Sequence, residues 1–337
     1  VAAGTFGRVR RQGKAVAVVG IAAATAAVSV APAVASPAAY GNVSERPTAV
    51  VSRAVPAGVV AMGDSYSSGL GTDDYEDDCD RTQQAWAWLI FSDEVPATER
   101  TLLACSGAVI DDVYEQIDEL EALQGAGGRL ITLTVGGNDV GFADELVNCY
   151  VSFVSCTRRE DAIRAEIDAL VDPLTELYRA VQAAAPDDEL IVGGYPLLVP
   201  DPEVRDNCIA LTPLLSAAER QMIRRLGGAL NSVIERAADE AGVRSAGTRL
   251  EETFDGHEAC ANGPDDWLNG LKFGRTADAT AVPEPAGAQT AATPEPDDPE
   301  LGPQWDIISS FVRDSFHPNA SGQTGYADAF EHMWMSS

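Results

Sequence analysis

Positive charge is the scarcest property of this chain. Its 337 residues carry 23 lysines and arginines against 52 acidic side chains, a formal net charge of −29, and Lys14 and Lys272 are its only lysines. So acidic a surface repels nucleic acid and anionic lipid, and it speaks for solubility and partners without bearing on fold. No internal repeat is present, which excludes a solenoid. Histidine is also sparse: His257, His317 and His332 are the only three.

The basic residues that do occur are placed unevenly. Arg8, Arg10, Arg11 and Lys14 precede an Ala-rich apolar run over 15–30, and after Pro32 stands Ala33-Val34-Ala35. This is the three-part layout of a secretory signal peptide, with cleavage expected after Ala35. A retained membrane anchor is the alternative, but the run is short, only mildly hydrophobic and ends at a cleavage pattern. Arg10-Arg11 suggests twin-arginine export, although Gln12-Gly13 weakens that match. Removing these 35 residues takes four of the 23 basic side chains and leaves 19 against 52 acidic, a net charge of −33. The expected product is secreted, not inserted in a membrane, and monomeric.

Six cysteines follow: Cys79, Cys105, Cys149, Cys156, Cys208 and Cys260. An even number behind an export signal reads as three disulfides, for which fifteen connectivities exist. Sequential pairing, Cys79–Cys105, Cys149–Cys156 and Cys208–Cys260, is the simplest. A zinc site from Cys208, His257 and Cys260 is the rival, and export argues against it.

Residues 36–55 are rich in Pro, Ala and Ser and are expected to form a flexible leader. Beyond them a unit recurs: an apolar run, a turn, an amphipathic helix. The runs are "GVVAMG" (58–63), "TLLAC" (101–105), "RLITLTVGG" (129–137), "ELIVGGYP" (189–196) and the weaker "GVRSAG" (242–247). Continuous apolar runs suit strands buried on both faces of a parallel sheet. Val113, Ile117, Leu120 and Leu123 share one helical face, and Ile163, Ile167, Leu170, Leu174, Leu177 and Val181 predict a long helix kinked at Pro173. "SAAE" (216–219) is a capping box opening a helix to about Ala241. These βα units predict one α/β sandwich domain over 56–337. Within it, the acidic, Pro- and Ala-rich stretch 276–303 has no periodicity and is expected to be a disordered insertion.

In an open parallel sheet the working residues sit in loops at the carboxyl ends of the strands. Ser65 follows the first run in "GDSYSSG", Gly107 the second in "CSGA", and Asn138 the third in "GGND". Downstream, "DSFHPN" sets Asp314 three residues before His317, neighbours if on one helical turn. A carboxylate there could hold the imidazole's tautomer and turn its other nitrogen toward a serine. Each piece alone reads as ordinary turn chemistry; together, in this order on these strand ends, they read as a hydrolase.

In these four blocks the chain resembles the SGNH (GDSL-type) hydrolases, serine esterases whose signatures contribute Ser, Gly, Asn and His. The blocks match in order over about residues 57–330. More narrowly, "ITLTVGGNDVGFA" before Cys149 and "SFHPNASGQTGYA" resemble the secreted actinobacterial lipases and esterases with three disulfides. The resemblance implies a flavodoxin-like three-layer α/β/α fold with a parallel five-stranded sheet, no metal and no cofactor. It implies Ser65 as nucleophile, His317 as general base and then acid, and Asp314 orienting His317. The N–H groups of Ser65 and Gly107 and the amide of Asn138 would form the oxyanion hole. Some relatives orient the histidine with a backbone carbonyl instead. Tyr66 stands where the family name has Leu, and the G-x-S-x-G elbow of the α/β-hydrolases is absent because position 67 is Ser.

Three other features admit a second reading. "DDYEDDCD" (73–80) reads as a solvated acidic loop; calcium binding is the alternative, without EF-hand spacing. His257 could replace His317 but lacks the matching block. Ser67 and Ser68 read as turn-shaping. The expected activity is carboxylic ester hydrolysis through an acyl-Ser65 intermediate. The alternatives are polysaccharide deacetylation, which would call for Trp86, Trp88, Trp267 or Trp305 along a cleft, and a non-catalytic surface-binding protein.

Overall fold

A computed structural model describes residues 53–123, 125, 127–142, 149, 156–208, 211, 215–270, 272 and 313–336. The expected signal peptide, nearly all of the leader, the insertion 276–303 and Trp305 lie outside the described residues.

Five parallel strands make the sheet: β1 (Val59–Gly63), β2 (Arg100–Leu102), β3 (Leu130–Thr134), β4 (Glu189–Val192) and β5 (Arg244–Ser245). Their order is β2-β1-β3-β4-β5, the doubly wound flavodoxin-like order. β1 pairs with β3 in register from Val59 opposite Leu130 to Gly63 opposite Thr134, which brings the loops after both strands side by side. Every residue of β1 and β3 is buried, as strands covered on both faces require.

The covering helices are α1 (Ser65–Ser68), α2 (Trp86–Leu89), α3 (Ile110–Ala122), α4 (Glu160–Asp168), α5 (Val171–Ala184), α6 (Ala217–Ala241), α7 (Gly247–Phe254) and α8 (Ala320–Met335). α3 to α6 pack on one another against one face, and α2, α7 and α8 against the other. On the second face Trp86 is fully buried, stacks on Tyr326 of α8 at 4.4 Å and donates its indole N–H to Thr132 of β3 at 3.0 Å. The capping box at α6 is complete: Ser216 Oγ accepts from the Glu219 N–H, and the Glu219 carboxylate accepts from the Ser216 N–H at 2.9 Å.

The single kinked helix expected over 163–181 is two helices, α4 and α5, parted at Ala169 and Leu170. Pro173 lies in the first turn of α5, where a missing N–H costs no intrahelical bond, so it starts a helix there without bending one. The last residues of the expected flexible leader are also held. The Arg53 guanidinium lies 3.4 Å over the Trp334 ring and pairs with Glu189, and the Trp334 indole donates to the Ala54 carbonyl at 2.8 Å.

The disulfides join Cys79 to Cys105, Cys149 to Cys156 and Cys208 to Cys260. With Cys208 and Cys260 bonded to each other, neither is a thiolate for zinc. The loop closed by Cys79–Cys105 limits the unfolded chain by about 3–4 kcal/mol in the chain-entropy account. Its local effect matters more here, because it ties the acidic loop to the segment leading into Gly107, where the Ser106 N–H also donates to the Cys79 carbonyl at 3.0 Å.

Candidate active site

β1 ends at Gly63, and Gln116 of α3 fixes that end from both sides: its Oε1 accepts from the Gly63 N–H at 2.7 Å and its Nε2 donates to the Gly63 carbonyl at 2.9 Å. Asp64 follows as the N-cap of α1, with its Oδ1 accepting from the Tyr66 N–H at 3.1 Å. Ser65 is therefore the first residue of a one-turn helix, whose leading N–H has no acceptor within the helix. Gln323 of α8, fully buried, supports the turn from the other side by donating to the Tyr66 carbonyl at 3.1 Å.

The three neighbouring serines are distinguished by their partners. Ser67 Oγ bonds Thr134 Oγ1 at 2.7 Å and Ser68 Oγ donates to the Ser65 carbonyl at 3.2 Å; both are 0% exposed. Ser65, 7% exposed, has its Oγ 2.8 Å from His317 Nε2, across 252 positions of chain.

His317 reaches that position because residues 267–269 pair with the segment around it. The Asn269 N–H donates to the His317 carbonyl at 2.9 Å, the Phe316 N–H to the Asn269 carbonyl at 2.8 Å, and Leu268 forms an antiparallel bridge with Pro318. Asn319 then caps α8, accepting from Ser321 and Gly322. The Tyr66 hydroxyl donates to the Phe316 carbonyl at 2.7 Å, and its ring lies 5.1 Å from the imidazole. Tyrosine in place of the family's leucine thus links the serine turn to the histidine loop.

The orienting contact on His317 differs from the one expected of Asp314. Nδ1 lies 3.0 Å from the Ser315 carbonyl, while the Asp314 carboxylate takes Arg313 Nε at 3.3 Å. Residues 313–316 form a turn, not a helix, so the three-residue spacing does not align the two side chains. Phe316 at φ +62° folds the chain back and points a main-chain oxygen at the ring. With Nδ1–H donating to that carbonyl, Nε2 is the acceptor for the serine proton. Burial pushes His317 down from its ordinary 6.5 to about 4, against the opposing pull of the Ser315 carbonyl and the Asp314 charge, so the ring is neutral at pH 7.

Two further loops lie beside the end of β1, at the same end of the sheet as Ser65. Gly107 sits at φ +84° with open space where a side chain would stand, a conformation glycine adopts freely. Among the described residues neither the Ser65 nor the Gly107 N–H has a protein acceptor. Asn138 donates through Nδ2 to the Ala108 carbonyl at 3.0 Å, which fixes its amide plane and leaves its second N–H. Asp139 accepts from the Ile110 N–H at 3.0 Å, so the Gly107 and Asn138 loops are stitched together twice. N–H groups without a protein acceptor, in loops at the sheet end that carries a serine bonded to a neutral imidazole, are the kind of donors that can hold a tetrahedral oxyanion.

The sequence matches the model of the GDSL-like Lipase/Acylhydrolase family over residues 61–324. The chain belongs to this family. It is a carboxylic ester hydrolase with the flavodoxin-like sandwich of the GDSL-like lipases. It is 34% identical to Lipase 1 of Streptomyces coelicolor over 239 residues, 68% of this chain and 83% of that protein. It is 32% identical to a Streptomyces rimosus lipase over 63% of this chain and 76% of that one. Among solved structures, phospholipase A1 from Streptomyces albidoflavus NA297 matches with a TM-score of 0.60 and 31% identity, covering 82% of this chain and 98% of that one. The extracellular lipase of Streptomyces rimosus matches at 0.58 and 28%, covering 80% and 97%.

The remaining candidates have other engagements. His257 stacks on Trp267 at 3.9 Å with its Nδ1 on the Asp265 carbonyl. In the acidic loop, Asp73 pairs with Lys272, Asp77 with Arg81 and Asp80 with Arg313, and among the described residues no group of acidic, histidine or cysteine side chains is arranged to hold a metal ion. Gln116, Gln323, Asn269 and Tyr195 were missed in the sequence. Tyr195 alone left a signal there, a polar aromatic in "GGYP" just past the fourth strand, at the same sheet end as the other loops.

Proposed function

We propose that Ser65 is the nucleophile of a secreted lipase or esterase and that His317 is its general base. The observation that carries this reading is the 2.8 Å contact between Ser65 Oγ and His317 Nε2. Ser65 Oγ attacks the ester carbonyl carbon as its proton passes to Nε2. The N–H groups of Ser65 and Gly107 and the Asn138 amide take the negative charge on the carbonyl oxygen. Collapse breaks the bond to the alcohol oxygen, which receives the proton from Nε2 and leaves acyl-Ser65. Water, deprotonated by the same imidazole, then releases the acid. The Ser315 carbonyl holds the tautomer and accompanies the imidazolium; Asp314 acts only through space. The scheme calls on no metal or cofactor.

Lipases and a phospholipase A1 among the relatives support acylglycerol and phospholipid esters as the substrate class. Trp86 in the core and Trp267 against His257 are not displayed for sugar stacking, Trp88 is partly buried against the core, and Trp305 lies outside the described residues, so the lipase relatives weigh more than the tryptophans for lipid over polysaccharide esters. Three disulfides and the extracellular S. rimosus lipase support export, with cleavage after about Ala35; we read the product as a monomer without nucleic-acid partners.

Hydrolysis of p-nitrophenyl esters from acetate to palmitate tests the substrate class. A rate that peaks at medium or long acyl chains is the expected result. Activity confined to acetate would transfer the assignment to deacetylation.

A further inference from the structure

The donor loop and the serine turn are joined beneath the site by one side chain. Tyr195 lies three residues beyond β4, buried, with its ring edge-to-face against Tyr66 at 5.0 Å. Its hydroxyl accepts from the Gly137 N–H at 3.2 Å and bonds the Asp64 carboxylate. A phenol has one proton, and Gly137 offers only a donor, so the direction is set: Gly137 N–H to Tyr195 O–H to Asp64. Burial next to Asp64 holds the phenol well above its ordinary range, which keeps it a donor at any working pH.

Asp64 sits at the centre of a buried chain. It caps α1 through the Tyr66 N–H at 3.1 Å and accepts Thr134 Oγ1 at 2.8 Å, which in turn bonds Ser67. Tyr195 is itself clamped. Asn231 of α6 accepts from its N–H at 2.9 Å and donates to its carbonyl at 2.7 Å, and a Cβ on the preceding Gly194 would stand 2.7 Å from Asn231 Oδ1. The tyrosine is thus a fixed post, and a Cβ on Gly137 would stand 3.4 Å from its ring and hydroxyl. Asn138 follows Gly137, and its side chain is held separately by the Ala108 carbonyl.

We propose that Tyr195 is a positioning residue for ester hydrolysis: by bridging the Gly137 N–H to the Asp64 carboxylate, it sets the Asn138 amide at the height of the Ser65 hydroxyl. The proposal rests on Asn138 as an oxyanion donor, the reading given above. Without the hydroxyl, a half-buried N–H and a buried carboxylate oxygen each lose a partner, and the Gly137–Asn138 loop relaxes away from the serine turn. A displacement of this kind acts on the transition state more than on the bound ester, because the donors meet full charge only on the oxyanion.

The test is a double-mutant cycle on a soluble p-nitrophenyl ester with Tyr195→Phe and Asn138→Ala. Tyr195→Phe is expected to lower kcat by about 10- to 100-fold, the scale of a small misplacement of reacting groups, with KM within about threefold. In the Asn138→Ala background the same change is expected to cost less than about threefold, since the group it positions is gone. Folding of each variant is checked by thermal denaturation. Wild-type kcat in folded Tyr195→Phe overturns the proposal, as does an equal loss in both backgrounds, which would make Tyr195 a general support of the site. If Asn138→Ala turns over at the wild-type rate, the oxyanion assignment fails and the proposal with it. Should Tyr195→Phe not fold, Asn231→Ala, which frees the Tyr195 peptide but keeps its hydroxyl, enters the same cycle with the same outcomes.

Discussion

Ser65→Ala is expected to lower kcat on any ester by about 10⁴-fold or more, with secondary structure and thermal stability unchanged. The large loss follows from the absence of a substitute. Ser67 and Ser68 are completely buried, and their hydroxyls are engaged with Thr134 and the Ser65 carbonyl, so neither can turn toward His317 without breaking the helix turn that carries it. The intact fold follows from the partners of Ser65 itself. Its Oγ bonds His317 alone among the described groups, while the turn is held by Asp64, Gln323 and Tyr66 through other atoms. Slow residual hydrolysis is expected, because the N–H donors remain. Wild-type turnover in the purified variant would remove Ser65 from the mechanism.

His317→Ala is expected to be as damaging, about 10⁴-fold in kcat, whereas Asp314→Asn should change kcat by less than about tenfold. The contrast separates a carbonyl-oriented histidine from a carboxylate-oriented one. In a carboxylate-held imidazole, loss of the acid's charge costs about 10⁴-fold. Here Nδ1 rests on the Ser315 carbonyl, and the Asp314 charge reaches His317 only through space. The pH profile adds a second check. The neutral imidazole is the active base, and burial pushes its pKa down to about 4. Protonation below that value removes the base, so kcat/KM should rise with pH through about 4 and be level by neutral pH. An acid limb near the ordinary value of 6.5 would mean that His317 is more hydrated in solution than its buried position implies.

The two outcomes at His317 also show what a sequence can convey. The strand ends were legible because continuous apolar runs followed by Gly-rich turns leave little choice but buried parallel strands with exposed carboxyl ends. Ser65, Gly107 and Asn138 lie in those loops, and β1–β3 pairing sets the loops of Ser65 and Asn138 side by side. The capping box at Ser216 was equally legible, since its two hydrogen bonds are local. The Asp314 contact was misread because a three-residue spacing carries meaning only on a helix, and a left-handed phenylalanine at 316 is a rare conformation that no local signal announces. The α4–α5 break was hidden for the opposite reason: the apolar positions keep helical spacing across a boundary where the backbone does not. Gln116, Gln323 and Asn269 hold the site through bonds across 45 to 257 positions, and such partners become visible only once the chain is folded.

The most direct test of an acyl-Ser65 intermediate is peptide mass spectrometry of the wild-type enzyme after inactivation with a p-nitrophenyl alkylphosphonate. The phosphonate mimics the tetrahedral intermediate and stays on the attacking oxygen. One phosphonyl group per chain, retained on Ser65, with one equivalent of p-nitrophenol released, is the expected result. A label on another residue, or full inactivation with Ser65 unmodified, would contradict the account.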